Sequence, residues 1–93
     1  MSCDIKERLI AGNRTYMQSE NQKLRIETAN HGQHPYAIVI ACSDSRVIPE
    51  QIFSAGIGEL FVIRVAGNVL DNHQLGSIEY AAAHLGCKLI LLL

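Results

Sequence analysis

Tyr36-Ala-Ile-Val-Ile-Ala41, followed at once by Cys42-Ser-Asp-Ser-Arg46, decides the fold. The first six residues are apolar without a break, rich in β-branched side chains, and follow Pro35. Alternating polar residues would mark a strand with one wet face. Their absence marks a strand buried on both faces, as in a parallel sheet. The polar residues 42–46 then leave its carboxyl end.

Toward the C-terminus the pattern repeats. Pro49 opens a short helix through Phe53, closed by Gly56 and Gly58. Leu60-Phe-Val-Ile-Arg-Val65 reads as a second strand, ended by Ala66-Gly-Asn68. A second helix is expected over about residues 74–85, with Leu75, Ile78, Ala82 and Leu85 inward and Gly86 at its C′ position. Residues 88–93 begin a third strand. Strand, helix, strand, helix, strand is an α/β pattern, so a mainly parallel sheet with flanking helices and right-handed crossovers is expected. Ligands in such sheets gather beyond the carboxyl ends of the strands. Two polar loops fall there, 42–46 and 67–73.

Toward the N-terminus, Asp4 and Glu7 suit a capping box. Ile5, Leu9, Tyr16 and Met17 share one side of the helix it would start, with Gly12 and Asn13 weakening the middle. Residues 19–35 are polar and without sustained period, which predicts a connecting arm with one further helical turn. The organisation is therefore one domain over residues 1–93, with an N-terminal helix and arm (1–35) and a βαβαβ core (36–93).

Composition excludes several classes. Hydrophobic residues make up 48% of 93 and charged ones 18%, against a usual charged share of about 25%; a disordered chain lacks that much apolar surface. Eight Lys+Arg against nine Asp+Glu give a net charge of −1 with no basic run, so no nucleic-acid footprint is expected. No apolar run approaches the roughly 18 residues of a membrane span. The opening MSCDIKERLI lacks the apolar stretch of a signal peptide. Three cysteines are an odd count, which favours a reducing cytoplasm over a stapled secreted framework.

Cys42, Asp44 and Arg46 alternate directly after the buried strand. On an extended chain Cys42 and Asp44 turn toward one centre, and Arg46 can pair bidentately with Asp44. Three chemistries fit. Cys42 can be a soft metal ligand, with Asp44 a second ligand or the partner of metal-bound water. It can be a nucleophile whose pKa Arg46 lowers, although the four-residue Cys42–Arg46 spacing is shorter than a phosphate-cradling cysteine loop uses. It can also be a buried structural thiol beside an ion pair that merely closes a loop. Spacing alone leaves all three open.

The stretches Ala41-Cys-Ser-Asp-Ser-Arg-Val47, Gly58-Glu-Leu-Phe-Val-Ile-Arg64, Ala66-Gly-Asn68 and Gly76-Ser-Ile-Glu-Tyr-Ala81 together strongly resemble the β-class carbonic anhydrases. The resemblance runs from Gly12-Asn13 to the last strand. It implies zinc as cofactor, with Cys42 its first ligand. Asp44 would be a carboxylate that either binds the metal or pairs with Arg46 and accepts a hydrogen bond from zinc-bound water. The implied reaction is reversible hydration of carbon dioxide to bicarbonate and a proton, in which zinc lowers the pKa of its water to about 7. The resemblance further implies that Gln33 contacts substrate from a neighbouring subunit, that Phe61, Ala66 and Tyr80 line the substrate pocket, and that Gly67 and Asn68 form the loop beside it. Ala66 stands where a larger apolar residue is common, which implies a wider pocket. A homodimer or larger homo-oligomer follows, with the N-terminal helix and arm reaching over a neighbour.

Family members continue after the third strand with Gly-His-x-x-Cys-Gly, which carries a histidine and a second cysteine for zinc. Leu93 stands about where that motif begins, so the chain reads as the front part of such an enzyme. Cys42 and Asp44 alone are too few, since catalytic zinc normally keeps three protein ligands. The rival expectation is a non-catalytic remnant that serves as an interaction or dimerisation module. Of the remaining residues, His73 in the loop after the second strand is the best substitute ligand. Cys87 is expected to pack, and His84 to sit at a helix surface. His31 and His34 flank Gln33 and reach a site only across a dimer. Tyr80 is equally a core-packing ring, and Glu79 either pairs with Arg64 or stays solvated.

Overall fold

Burial of the strand that follows Pro35 organises the whole chain. A computed structural model describes residues 2–19 and 22–93. Its elements in order are α1 (Ser2–Met17), α2 (Gln22–His31), β1 (Ala37–Ala41), α3 (Pro49–Ile52), β2 (Leu60–Arg64), a 3₁₀ turn (Ala66–Asn68), α4 (Asn72–His84) and β3 (Ile90–Leu92). All five residues of β1 are buried, because β1 is the central strand of a three-stranded sheet in the order β2-β1-β3. Both pairings are parallel, with Ala37 opposite Leu60, Ala41 opposite Arg64, and Ile38 opposite Ile90. The α/β expectation holds.

The core gathers Ile38, Ile63, Ala81 and Cys87, with Phe61, Val65, Ile78 and Leu85 packed against it. On α4 the innermost residue is Ala81, fully buried, whereas Ala82 and Leu75 are exposed. The inner face expected from Leu75 and Ala82 is therefore rotated onto the Ile78–Ala81–Leu85 line. The helix also starts two residues earlier than expected. Asp71 caps it, accepting from the His73 N–H while Gln74 accepts from the Asp71 N–H, and Gly86 ends it with φ +72°.

The arm departs most from expectation. Where one helical turn was expected, α2 runs for ten residues. Lys23, Leu24, Arg25, Glu27 and Ala29 have good helix propensity without forming an apolar stripe, so periodicity does not reveal the helix. Tertiary contact helps hold it: the Arg25 guanidinium lies 3.9 Å over the Tyr16 ring. In α1, Asp4 sits within the first turn and not ahead of it, where its charge still suits the helix N-terminus. The apolar side of α1 meets no core: Ile5 is 64% and Leu9 71% exposed. The radius of gyration, 15.3 Å, accordingly exceeds the roughly 12 Å of a compact chain this long.

Candidate functional site

Because β1 and β2 end level, with Ala41 opposite Arg64, the loops that leave them meet at the carboxyl edge of the sheet. Cys42 is the first residue beyond β1, half-buried. The 3₁₀ turn after β2 brings Gly67 over it, and the Gly67 N–H donates to Cys42 Sγ at 3.3 Å. Gly67 does so at φ +72°, a backbone conformation that a β-carbon disfavours. The Gly67 amide, then the Asp44 amide, hold the Cys42 thiol below its ordinary pKa by stabilising the thiolate. Partial burial and the nearby Asp44 charge oppose them.

Asp44 and Arg46 form the bidentate pair that their spacing suggests. Arg46 Nε donates to Asp44 Oδ1 at 3.0 Å and Nη2 to Oδ2 at 2.8 Å, while the Arg46 backbone N–H adds a third bond to Oδ1 at 2.8 Å. The Arg46 side chain is the chief reason the Asp44 carboxyl lies below the usual carboxylate range; its amide and the Arg64 charge act in the same direction. The carboxylate in turn raises the Arg46 pKa.

Arg64, to which sequence reasoning gave no role in the site, and Asn68, expected in the loop beside it, complete this edge. The Arg64 guanidinium donates to the carbonyls of Cys42, Asp44 and Val47, so its donors serve the loop and not Glu79. Asn68 Nδ2 donates to the Leu93 carbonyl at 2.5 Å, joining the turn to the end of β3. An arginine at the carboxyl end of a strand, beside a loop rich in unpaired carbonyls, was the available signal for the first.

The other expected substrate residues lie elsewhere. Gln33, Tyr80 and His84 line a cavity of about 660 Å³ together with Arg25, His34 and Gly58. The Tyr80 ring lies near those of Phe61 and His84, with centroids 6.3 and 5.4 Å away and both pairs tilted. Gln33 and Gly58 precede β1 and β2, whereas Cys42 follows β1. Within one chain Gln33 therefore lies before the amino end of β1 and Cys42 beyond its carboxyl end, and Cys42 does not line the cavity that holds Gln33 and Tyr80. Ala66 and Gly67 stay on the Cys42 side, both exposed.

His73 lies in the first turn of α4, its amide engaged by Asp71. Cys87 is buried in the core, its Sγ donating to the Pro35 carbonyl at 3.3 Å, and burial pushes its thiol pKa up. Among the described residues no three His, Cys, Asp or Glu side chains converge to hold a metal. One thiol and one carboxylate, the latter engaged by Arg46, are a zinc-compatible donor type but not a complete catalytic set.

The family model described as carbonic anhydrase matches residues 37–93. Carbonic anhydrase 2 of Mycobacterium tuberculosis is 46% identical over 87 residues, covering 94% of this chain and 41% of that protein. A carbonic anhydrase of Pseudomonas aeruginosa is 53% identical over 60 residues, which are 58% of this chain and 27% of the relative. Among solved structures, the β-carbonic anhydrase CcaA superposes with a TM-score of 0.81 at 35% identity, over 91% of this chain and 45% of that one. A structure described as one of two tetrameric β-carbonic anhydrases of Sordaria macrospora gives 0.81 at 29% identity, over 96% and 48%. The chain thus spans about two fifths of the length of the first of these relatives.

Proposed function

The chain belongs to the β-class carbonic anhydrases, and from that premise we propose that it carries the Cys42–Asp44–Arg46 part of an enzyme interconverting carbon dioxide and bicarbonate. The observation that carries the reading is the joint geometry at the sheet edge: a half-buried thiol under the Gly67 amide, beside a carboxylate held by a bidentate arginine. A soft anionic donor and an ionised acceptor at one edge are what metal-assisted hydration needs from the protein.

Arg46 keeps Asp44 ionised and turned toward itself, so that a carboxylate oxygen stays available to orient a nucleophilic water. Ala66, small and exposed beside Cys42, leaves room for an apolar substrate. Zinc is the cofactor proposed for the whole protein, with Cys42 as one ligand. The described residues do not complete its site.

The single-chain separation of Gln33 and Tyr80 from Cys42 supports a homodimer or larger assembly in which a neighbour supplies them. The exposed apolar side of α1 supports the same reading. A cytoplasmic location is proposed on the odd cysteine count alone.

The test compares the 93-residue chain with a form extended through the family's Gly-His-x-x-Cys-Gly motif, measuring zinc content and stopped-flow carbon dioxide hydration. The chain by itself is expected to hold zinc weakly and to lack hydration activity. The extended form should hold about one zinc per chain and turn over. An extended form that takes up zinc yet fails to hydrate carbon dioxide would overturn the reading.

A further inference from the structure

We propose that Arg64 is a positioning residue: its single guanidinium, forked onto three backbone carbonyls, fixes loop 42–47 and thereby the Asp44 carboxylate. The bearing of this clamp on turnover rests on the function proposed above; the clamp itself does not.

Arg64 is the last residue of β2 and pairs in register with Ala41, the last residue of β1. Beyond Ala41 the chain leaves the sheet, and its carbonyls lose their strand partners. Such groups need other donors, or the loop takes many conformations. Arg64 Nε donates to the Cys42 carbonyl at 3.0 Å, and Nη2 to the carbonyls of Asp44 and Val47, both at 2.6 Å. The three acceptors lie 17 to 22 residues away in sequence, so the contact is tertiary and β2 supplies its rigidity. The Val47 N–H also donates to the Asp44 carbonyl at 3.0 Å, closing the turn around the same point.

Asp44 is therefore held twice, its main chain by Arg64 and its side chain by Arg46. The second hold is local, between residues two apart on one loop, so it does not anchor that loop to the sheet; the first hold does. The first hold also needs arginine: a planar fork can meet carbonyls in different directions at once, whereas a lysine ammonium is a point donor. A loop released by Arg64 leaves Asp44 free to turn from Arg46 and moves the Cys42 sulfur from the Gly67 amide.

The experiment is NMR of the protein and its Arg64→Gln and Arg64→Lys variants. In the unsubstituted protein the Arg64 Nε–H is expected to exchange slowly and its Nη groups to give separate signals. In either variant, amide protection at Arg46 and Val47 should fall at least about tenfold, with the β1–β2 ladder amides still protected. Rotationally averaged Nη signals in the unsubstituted protein would overturn the clamp, and this readout decides even if a variant fails to fold. Unchanged protection at Arg46 and Val47 in a folded Arg64→Gln would overturn it as well. Both readouts are independent of hydration activity, so loss of the proposed function and loss of the clamp register separately.

Discussion

Gly67 donates its backbone N–H to the sulfur of Cys42, a contact between loops 25 residues apart. The contact exists because β1 and β2 end level and because Gly67 takes φ +72°. It converts an ordinary thiol into one whose anion is preferred by the fold.

Alkylation should reveal that preference. Cys42 is expected to react with iodoacetamide at a pH below the ordinary thiol range, while Cys87, 3% exposed and with a raised pKa, stays unmodified until unfolding. Since the folded pKa of Cys42 is the lower one, its thiolate adds stability above the unfolded thiol's range. That contribution is lost as pH falls through the folded value. Peptide mass spectrometry across pH gives both rates, and equal reactivity of the two thiols would contradict the assignment.

Gly67→Ala should cost about 1–2 kcal/mol in urea unfolding, from the left-handed backbone. Crowding is not the cause, since the nearest neighbour of an added Cβ is Val69 Cγ2 at 3.9 Å. The Cys42 alkylation profile should move to higher pH as the amide leaves the sulfur. Gly76→Ala is the control. It lies inside α4 with nothing within 4 Å of its Cβ position, and should stabilise by about 1 kcal/mol.

Arg46→Ala removes the chief cause of the lowered Asp44 pKa. The Asp44 carboxyl, followed by carbon NMR, should titrate closer to the usual carboxylate range. A depressed folded pKa contributes stability that is present above the unfolded carboxylate's range and lost as pH falls through the folded value, so the variant should lose some of the acid sensitivity of its stability. The fold at neutral pH should persist because the pair is exposed. In the extended form, hydration should fall strongly. An unmoved Asp44 titration would show that the pair does not govern this carboxyl.

Self-association should be measurable by sedimentation equilibrium at micromolar concentration. Ile5, Leu9, Tyr16 and Met17 remain exposed on α1. Exposed apolar faces recruit further chains. Leu9→Glu removes a side chain whose burial contributes about 1.5–3 kcal/mol, so it should weaken association about tenfold or more. A folded species of 10.2 kDa throughout that range would refute an assembly.

The elements legible in advance were those whose local pattern coincides with their packing. The unbroken apolar run from 36 to 41 suits a strand buried on both faces, and β1, all five residues buried, is the central strand. The Cys42-x-Asp44-x-Arg46 alternation was enough to foresee a bidentate pair, because both partners lie within three residues. Ten-residue α2 was not legible, since its stability draws on propensity and on Arg25 over Tyr16 and not on an apolar stripe. The rotation of α4 onto Ala81 escaped for a related reason: adjacent alanines 81, 82 and 83 look alike in sequence, and only contact with Ile38 and Ile63 selects one of them.

What sequence by itself determined is therefore the α/β order, the strand buried on both faces, the family, and the placing of Cys42, Asp44 and Arg46 directly after that strand. These are local or compositional properties, written in consecutive residues. Tertiary structure alone decided which groups meet. It set Gly67 on the Cys42 sulfur, gave Arg64 three carbonyls of the neighbouring loop, and gathered Gln33 and Tyr80 into a cavity that Cys42 does not line. Those relations depend on strand register and on where each strand ends, quantities that arise only when distant segments pair.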